Sequence, residues 1–222
     1  MMDVTRAVLD SVAVPLTPRQ REMAEIIAEE FLAAGLSPYV AAAALANAWA
    51  ESHKLDPLAH NITDEDSAGL FQLRRDGGAG SDMPRGDPRW PVSPYCKSRG
   101  IYCKTDSRFD PVLNTRRIVR EVRETSFGER FLSRIAAHPR DIPAIAADFC
   151  RYIERPGDVA EASAARAKIA HALFPRGIVS ADRPRLADLA NARPRNAALL
   201  ALAPPLAIVL GFAVRDFWKS RY

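Results

Sequence analysis

Between residues 18 and 35 apolar side chains recur at helical spacing, as Met23, Ile26, Ile27, Phe31 and Leu32, with polar residues between them. Thr17 can cap this segment, Pro18 sits at the first helical position and Gly35 stops it, so the pattern predicts a helix. Ser37-Pro38 opens a second, Ala-rich helix expected to run to about Leu55, with Pro57 beyond its end. Along that helix Ala44, Ala48, Glu51 and Leu55 fall in one stripe, with Leu45 and Trp49 beside it. The one carboxylate in the stripe, Glu51, therefore lies on or next to the buried seam. The question is what a Glu in that place is for.

The pattern changes at residues 56–112, where Gly, Pro, Asp and Ser dominate. This region reads as loop with a short hairpin, too long for a simple connection. Helical texture returns at "PVLNTRRIVREVRETSFGERFL", "DIPAIAADFCRYIERP" and "DVAEASAARAKIAHALFP". The expected fold class is mainly α: a helical domain over 1–175, a long loop within it, and a C-terminal apolar helix. Residues 176–196, rich in Arg, Pro, Asp and Ala, have the composition of a linker, and 197–222 form a hydrophobic tail.

That tail opens with 197–214, an uncharged run that as a helix would extend about 27 Å, enough for a bilayer core. Arg193 and Arg195 precede it, and Trp218, Tyr222 and three cations follow. Pro204-Pro205 would kink it. Two readings stand: a membrane anchor, or a pair of short apolar helices packed on a partner or on the main domain.

Composition narrows the picture only a little. The formal charge of +4 and pI near 9.1 suit an anionic partner such as a bacterial cell wall. A nucleic-acid binder would rest on pI alone, without aromatic interleaving or a recognition helix, and no nucleic-acid partner is expected. Cys96, Cys103 and Cys150 have no metal-ligand spacing, so neither a metal nor a cofactor is expected. Cys96 and Cys103 either close a disulfide or stay reduced with Cys150. The N-terminus does not read as a secretory signal.

Near the apolar seam two effects would raise the affinity of Glu51 for a proton: desolvation and the negative end of the helix dipole. His53 and Lys54 would pull the other way. A Glu held protonated near neutral pH is the proton donor a glycosidase needs. About twenty residues later comes "SAGLFQL", in which Gly69 lets the backbone run close to another surface or a ligand. Gln72 there presents a two-sided amide suited to sugar hydroxyls and acetamido groups.

Together, "NAWAESHKLDPLAHN" and "EDSAGLFQL" resemble the lysozyme-like superfamily of goose-type lysozymes and soluble lytic transglycosylases, nearest to the phage tail lysozymes. A later segment, "FCRYIERP", fits the same branch, and the resemblance covers about residues 36–175. It implies a lysozyme-like helical fold and an enzyme that cuts the MurNAc-GlcNAc β-1,4 bond of peptidoglycan. On it Glu51 is the catalytic acid and Ser52 the residue after it. Gly69, Leu70, Phe71 and Gln72 line the sugar cleft and contact substrate. Tyr152 is expected to face the cleft and Glu154 to support it, by hydrogen bonds or by a structural salt bridge.

Glycoside hydrolysis usually takes two carboxylates. Asp64, Asp66 and Asp76, with Glu65 between, are the candidates for the second. If none serves, the superfamily's other chemistry applies, in which one Glu is acid and then base and the sugar's 6-hydroxyl attacks to give an anhydro product. Arg74, Arg75, Arg85 and Arg89 beside the loop would steer the enzyme to an anionic wall, or simply keep the loop soluble. The resemblance implies peptidoglycan glycan strands as the partner. It further implies a virion-associated or envelope location with tail proteins as neighbours; the apolar run 197–214, read from its own composition, is the expected membrane contact. The competing reading is a structural tail or membrane protein that binds glycan on this scaffold without cutting it.

Overall fold

A computed structural model of the chain describes residues 2–61, 67–74 and 106–179. The architecture is mainly α, as expected. The helices among the described residues are α1 (Met2–Asp10), α2 (Pro18–Ala33), α3 (Pro38–Glu51), α4 (Pro111–Glu124), α5 (Ser126–Ile135), α6 (Ile142–Phe149) and α7 (Val159–Leu173). A 3-10 turn, Ser107–Phe109, precedes α4, and a π turn, Cys150–Glu154, follows α6. The sequence reading did not anticipate α1, which returns Val8 and Leu9 to the core.

The helix starts follow the side-chain chemistry of their caps. Thr17 and Gln20 form a reciprocal capping box on α2, with Pro18 at its first turn. Ser37 caps α3, Asp110 caps α4, Thr125 caps α5, Asp141 caps α6 and Asp158 caps α7. The run at 111–132 is thus two helices, because the Thr125 hydroxyl accepts from the Gly128 N–H and starts a new one.

At the centre lies α3, in which every residue from Val40 to Ala48 is buried. It is wrapped by α1, α2, α6 and α7. Small Ala side chains let these neighbours approach closely, and Asn47 ties α3 to α6 by donating to the carbonyls of Ala43 and Ala146. An aromatic cluster fills the adjoining volume: the Phe149 ring lies 6.1 Å from Phe31, 6.2 Å from Phe71 and 5.6 Å from Phe131.

The expected hairpin region contains a small antiparallel sheet, in the order β1 (His60–Asn61), β2 (Ser67–Ala68) and β3 (Leu73–Arg74). Strands of two residues cannot hold themselves together, and Asn114 of α4 anchors this sheet. Its Nδ2 donates to the carbonyls of Ala68 and Arg108, and its Oδ1 accepts from the Phe71 N–H. Arg108, 1% exposed, forks onto Asp106 and donates to the Leu73 carbonyl.

No helix among the described residues is long and apolar enough to cross a membrane. The apolar run 197–214, residues 180–196 of the expected linker, and Cys96 and Cys103 lie outside the described residues. Cys150 is free and buried.

Candidate active site

The second helix ends at Glu51, not near Leu55. Ser52 leaves the helical region, and His53, Lys54 and Leu55 all take positive φ, at 48°, 68° and 67°. The Lys54 N–H reaches back to the Trp49 carbonyl, closing the helix with a Schellman-type turn built without glycine. Gln20 of α2 supports this turn through its Nε2, which donates to the Lys54 carbonyl. Leu55 is buried, but from the turn and not from a helical stripe.

The placement of Glu51 follows from this ending. Because α3 is buried on all faces, the apolar stripe cannot distinguish one face from another. What exposes Glu51 is that Trp49, Ala50 and Glu51 emerge together from the core at the helix end. Its side chain is 23% exposed. It meets Arg166 of α7, whose Nη2 donates to Glu51 Oε1. The same guanidinium donates through Nε to Glu154 Oε2, at 3.4 Å.

Glu154 reaches this point because of the π turn. The Arg155 N–H bonds five residues back to the Cys150 carbonyl, and Arg155 itself adopts a left-handed conformation that ends the turn. Two contacts pin that end: Arg155 pairs with Glu121 at 3.2 Å and its guanidinium lies 4.1 Å over the Phe127 ring. The Glu154 side chain is 7% exposed; its Oε2 accepts from Arg166, and the Cys150 thiol bonds to the carboxyl from the same turn. Burial, and next the charge of Glu51, push its carboxyl up to about 8. Burial disfavours the charge on Arg166, but Glu154 and Glu51 outweigh it and hold the guanidinium above its ordinary range. Behind them the Cys150 thiol, beside Glu154 and Ser163, is pushed up to about 12, chiefly by burial, so it is no nucleophile.

The other expected site residues separate into distinct roles. Ser52 is fully buried and its hydroxyl donates to the Ala48 carbonyl, so its side chain terminates α3 and has no surface for a sugar. Leu70 and Phe71 are side chains of the core. Gly69, at φ +83°, approaches another part of the protein: a Cβ there would stand 2.1 Å from the Arg108 carbonyl and 2.3 Å from Asn114 Nδ2. Of the segment, only Gln72 keeps a partly exposed polar side chain, and its Nε2 already donates to the carbonyls of Ala59 and Gly69. Tyr152 is half-buried and packs against the core. Glu154 is both a hydrogen-bonding and an ion-pairing neighbour of the site, through Arg166. Asp64, Glu65, Asp66, Asp76, Arg75, Arg85 and Arg89 lie outside the described residues.

Sequence reasoning missed Arg166, though a signal was there. Ser163, Ala170 and Leu173 are the buried positions of α7, and Arg166 falls on their stripe at i+3 from Ser163. A cation on the buried side of an Ala-rich helix needs an anion, and two are present.

A phage tail lysozyme family profile matches residues 22–176, more than half of the chain. The chain belongs to the phage tail lysozyme family. The match runs from within α2 to just past α7 and so contains Glu51, Glu154 and Arg166. Membership places the chain among lysozyme-like, peptidoglycan-acting phage proteins. No curated protein and no solved structure matches it.

Proposed function

We propose that the chain is a peptidoglycan muramidase in which Glu51 is the single general acid, acting on the MurNAc-GlcNAc β-1,4 bond. The observation that carries this reading is the position of Glu51. A half-buried carboxylate stands where the central helix leaves the core, beside an Arg and a second, buried carboxyl. Glu51 gives its proton to the glycosidic oxygen as the C1–O4 bond breaks, leaving an oxocarbenium-like sugar. Water or the sugar's own 6-hydroxyl then attacks C1 and returns a proton to Glu51. Glu154 sits behind Arg166, too deep to touch the sugar, so it is not a second carboxylate in the usual sense. Action from a virion on the cell envelope fits a family of tail enzymes.

Glu51→Gln in the full-length protein tests the assignment. Wild type should clear a suspension of bacterial walls, and the variant should lose on the order of a hundredfold or more of that activity. Equal clearing would leave Glu51 without a catalytic role, and no clearing by either would favour the glycan-binding scaffold. The ion pair with Arg166 is the observation behind that second reading, since a purely structural pair would look the same. Mass spectrometry of the released fragments separates the two chemistries, because only attack by the 6-hydroxyl leaves an anhydro end.

A further inference from the structure

A carboxylate paired with a guanidinium is held ionised, whereas a general acid must carry a proton. Glu51 paired with Arg166 is therefore a resting form that cannot itself do the first step. The site holds two carboxyls and one guanidinium, so it is neutral when it holds one proton. There are two ways to place that proton, and Arg166 already touches both carboxyls: Nη2 on Glu51 and Nε on Glu154.

We propose that Arg166 is a positioning residue that moves between Glu51 and Glu154 while one proton is redistributed the opposite way, so that Glu51 becomes the acid only when Glu154 takes over the guanidinium. The inference rests on the reading of Glu51 as the proton donor. In the resting form Glu51 is anionic on Arg166 and Glu154 is neutral. In the armed form Glu154 has released a proton to water, Glu51 has taken one from water, and Arg166 has closed on Glu154. Proton number and net charge are the same in both.

Three observations support the exchange. The guanidinium needs only a small swing, since its Nε is 3.4 Å from Glu154 in the resting form. Glu154 is 7% exposed, so its charged form is costly until Arg166 turns to it. Glu51 is the more exposed of the two, at 23%, and a bound glycan would cover it. Covering it takes from the Glu51–Arg166 pair the solvation it has in the resting form. The charged and titratable groups facing Glu154 are Glu51 from α3, Arg166 from α7 and the Cys150 thiol from its own turn.

The exchange also supplies what the single-Glu mechanism lacks. Once Glu51 has given up its proton, two carboxylates face one guanidinium. The site then carries a net negative charge opposite the oxocarbenium-like sugar, although Glu154 never touches the glycan.

The test uses the full-length chain. Glu154→Gln keeps the shape but leaves Arg166 with Glu51 alone. Wall-clearing kcat/KM should fall about tenfold or more, and its alkaline limb should move acidward by about one pH unit or more. Adding R166Q to E154Q removes the guanidinium that traps Glu51, and activity should rise above that of E154Q. Wild-type activity and profile in E154Q, or a double variant worse than E154Q, would overturn the proposal. Carbon-13 NMR of Glu carboxyls gives a readout that does not depend on how E154Q folds. In Glu51→Gln, Arg166 is free for Glu154, so the Glu154 midpoint should drop by about a unit or more from wild type. An unmoved midpoint overturns the exchange, while a Glu51→Gln protein that still clears walls overturns the reading beneath it.

Discussion

Arg166 Nη2 donates to Glu51 Oε1 across 115 positions of sequence, joining the half-buried end of the central helix to the buried stripe of α7. The contact makes the site depend on how α3, the π turn and α7 pack together, and that dependence can be measured.

The pH dependence of stability should carry the signature of Glu154. Its ordinary value is 4.5, and burial raises it in the folded chain to about 8. Between those values the folded state holds a proton that the unfolded state has released. This contribution is therefore fully present below about pH 4.5 and is lost as pH rises toward 8, at up to about 1.4 kcal/mol per pH unit. Denaturant titrations across that window should show Glu154→Gln gaining on wild type as pH rises. A constant difference would mean that Glu154 is ionised in the folded protein throughout.

Asn114→Ala removes the amide that ties the three short strands to α4. The Phe71 N–H and the carbonyls of Ala68 and Arg108 each lose a buried partner. A loss of about 2–4 kcal/mol is expected by equilibrium unfolding. Amide exchange should accelerate first at Ala68 and Phe71.

Gly69→Ala places a methyl group against the Arg108 carbonyl at a backbone φ of +83°. The left-handed conformation alone costs roughly 1–2 kcal/mol for a residue with a Cβ. The collision is with backbone and cannot be relieved by a rotamer, so a total of about 3 kcal/mol or more is expected. A thermal melt close to that of wild type would show that the segment shifts freely.

Phe149→Ala opens the aromatic cluster where α2, α5 and the Gly69–Gln72 segment meet. Its ring is fully buried, and truncation should cost about 3–5 kcal/mol in denaturant unfolding. Because Phe149 directly precedes the π turn, activity at a temperature where the variant is still folded should fall as well, through misplaced Glu154.

Much of the frame was legible because helix starts are local chemistry. Thr17-Pro18, Ser37-Pro38, Asp110-Pro111 and Asp158 each present a capping side chain a few residues from the N–H groups it satisfies. Helix ends were less legible. The turn after Glu51 takes three positive φ values without a glycine, and only support from outside it, such as Gln20 on Lys54, holds such a turn. Helical counting therefore carried α3 one turn too far, to Leu55.

Local pattern was enough to show a capped, mainly helical domain with a turn-rich insertion, and to mark Glu51 as an unusual carboxylate followed by a Gly-Leu-Phe-Gln segment. Those features depend on neighbours a few residues apart. What Glu51 faces, the place of Leu70 and Phe71 in the core, and the need for Gly69 beside Arg108 and Asn114 emerge from the packing of the folded chain. That packing also brings Arg166 and Glu154 to Glu51. A buried charge is tolerated only beside its partner, and here the partners come from three separate elements whose packing no local pattern encodes.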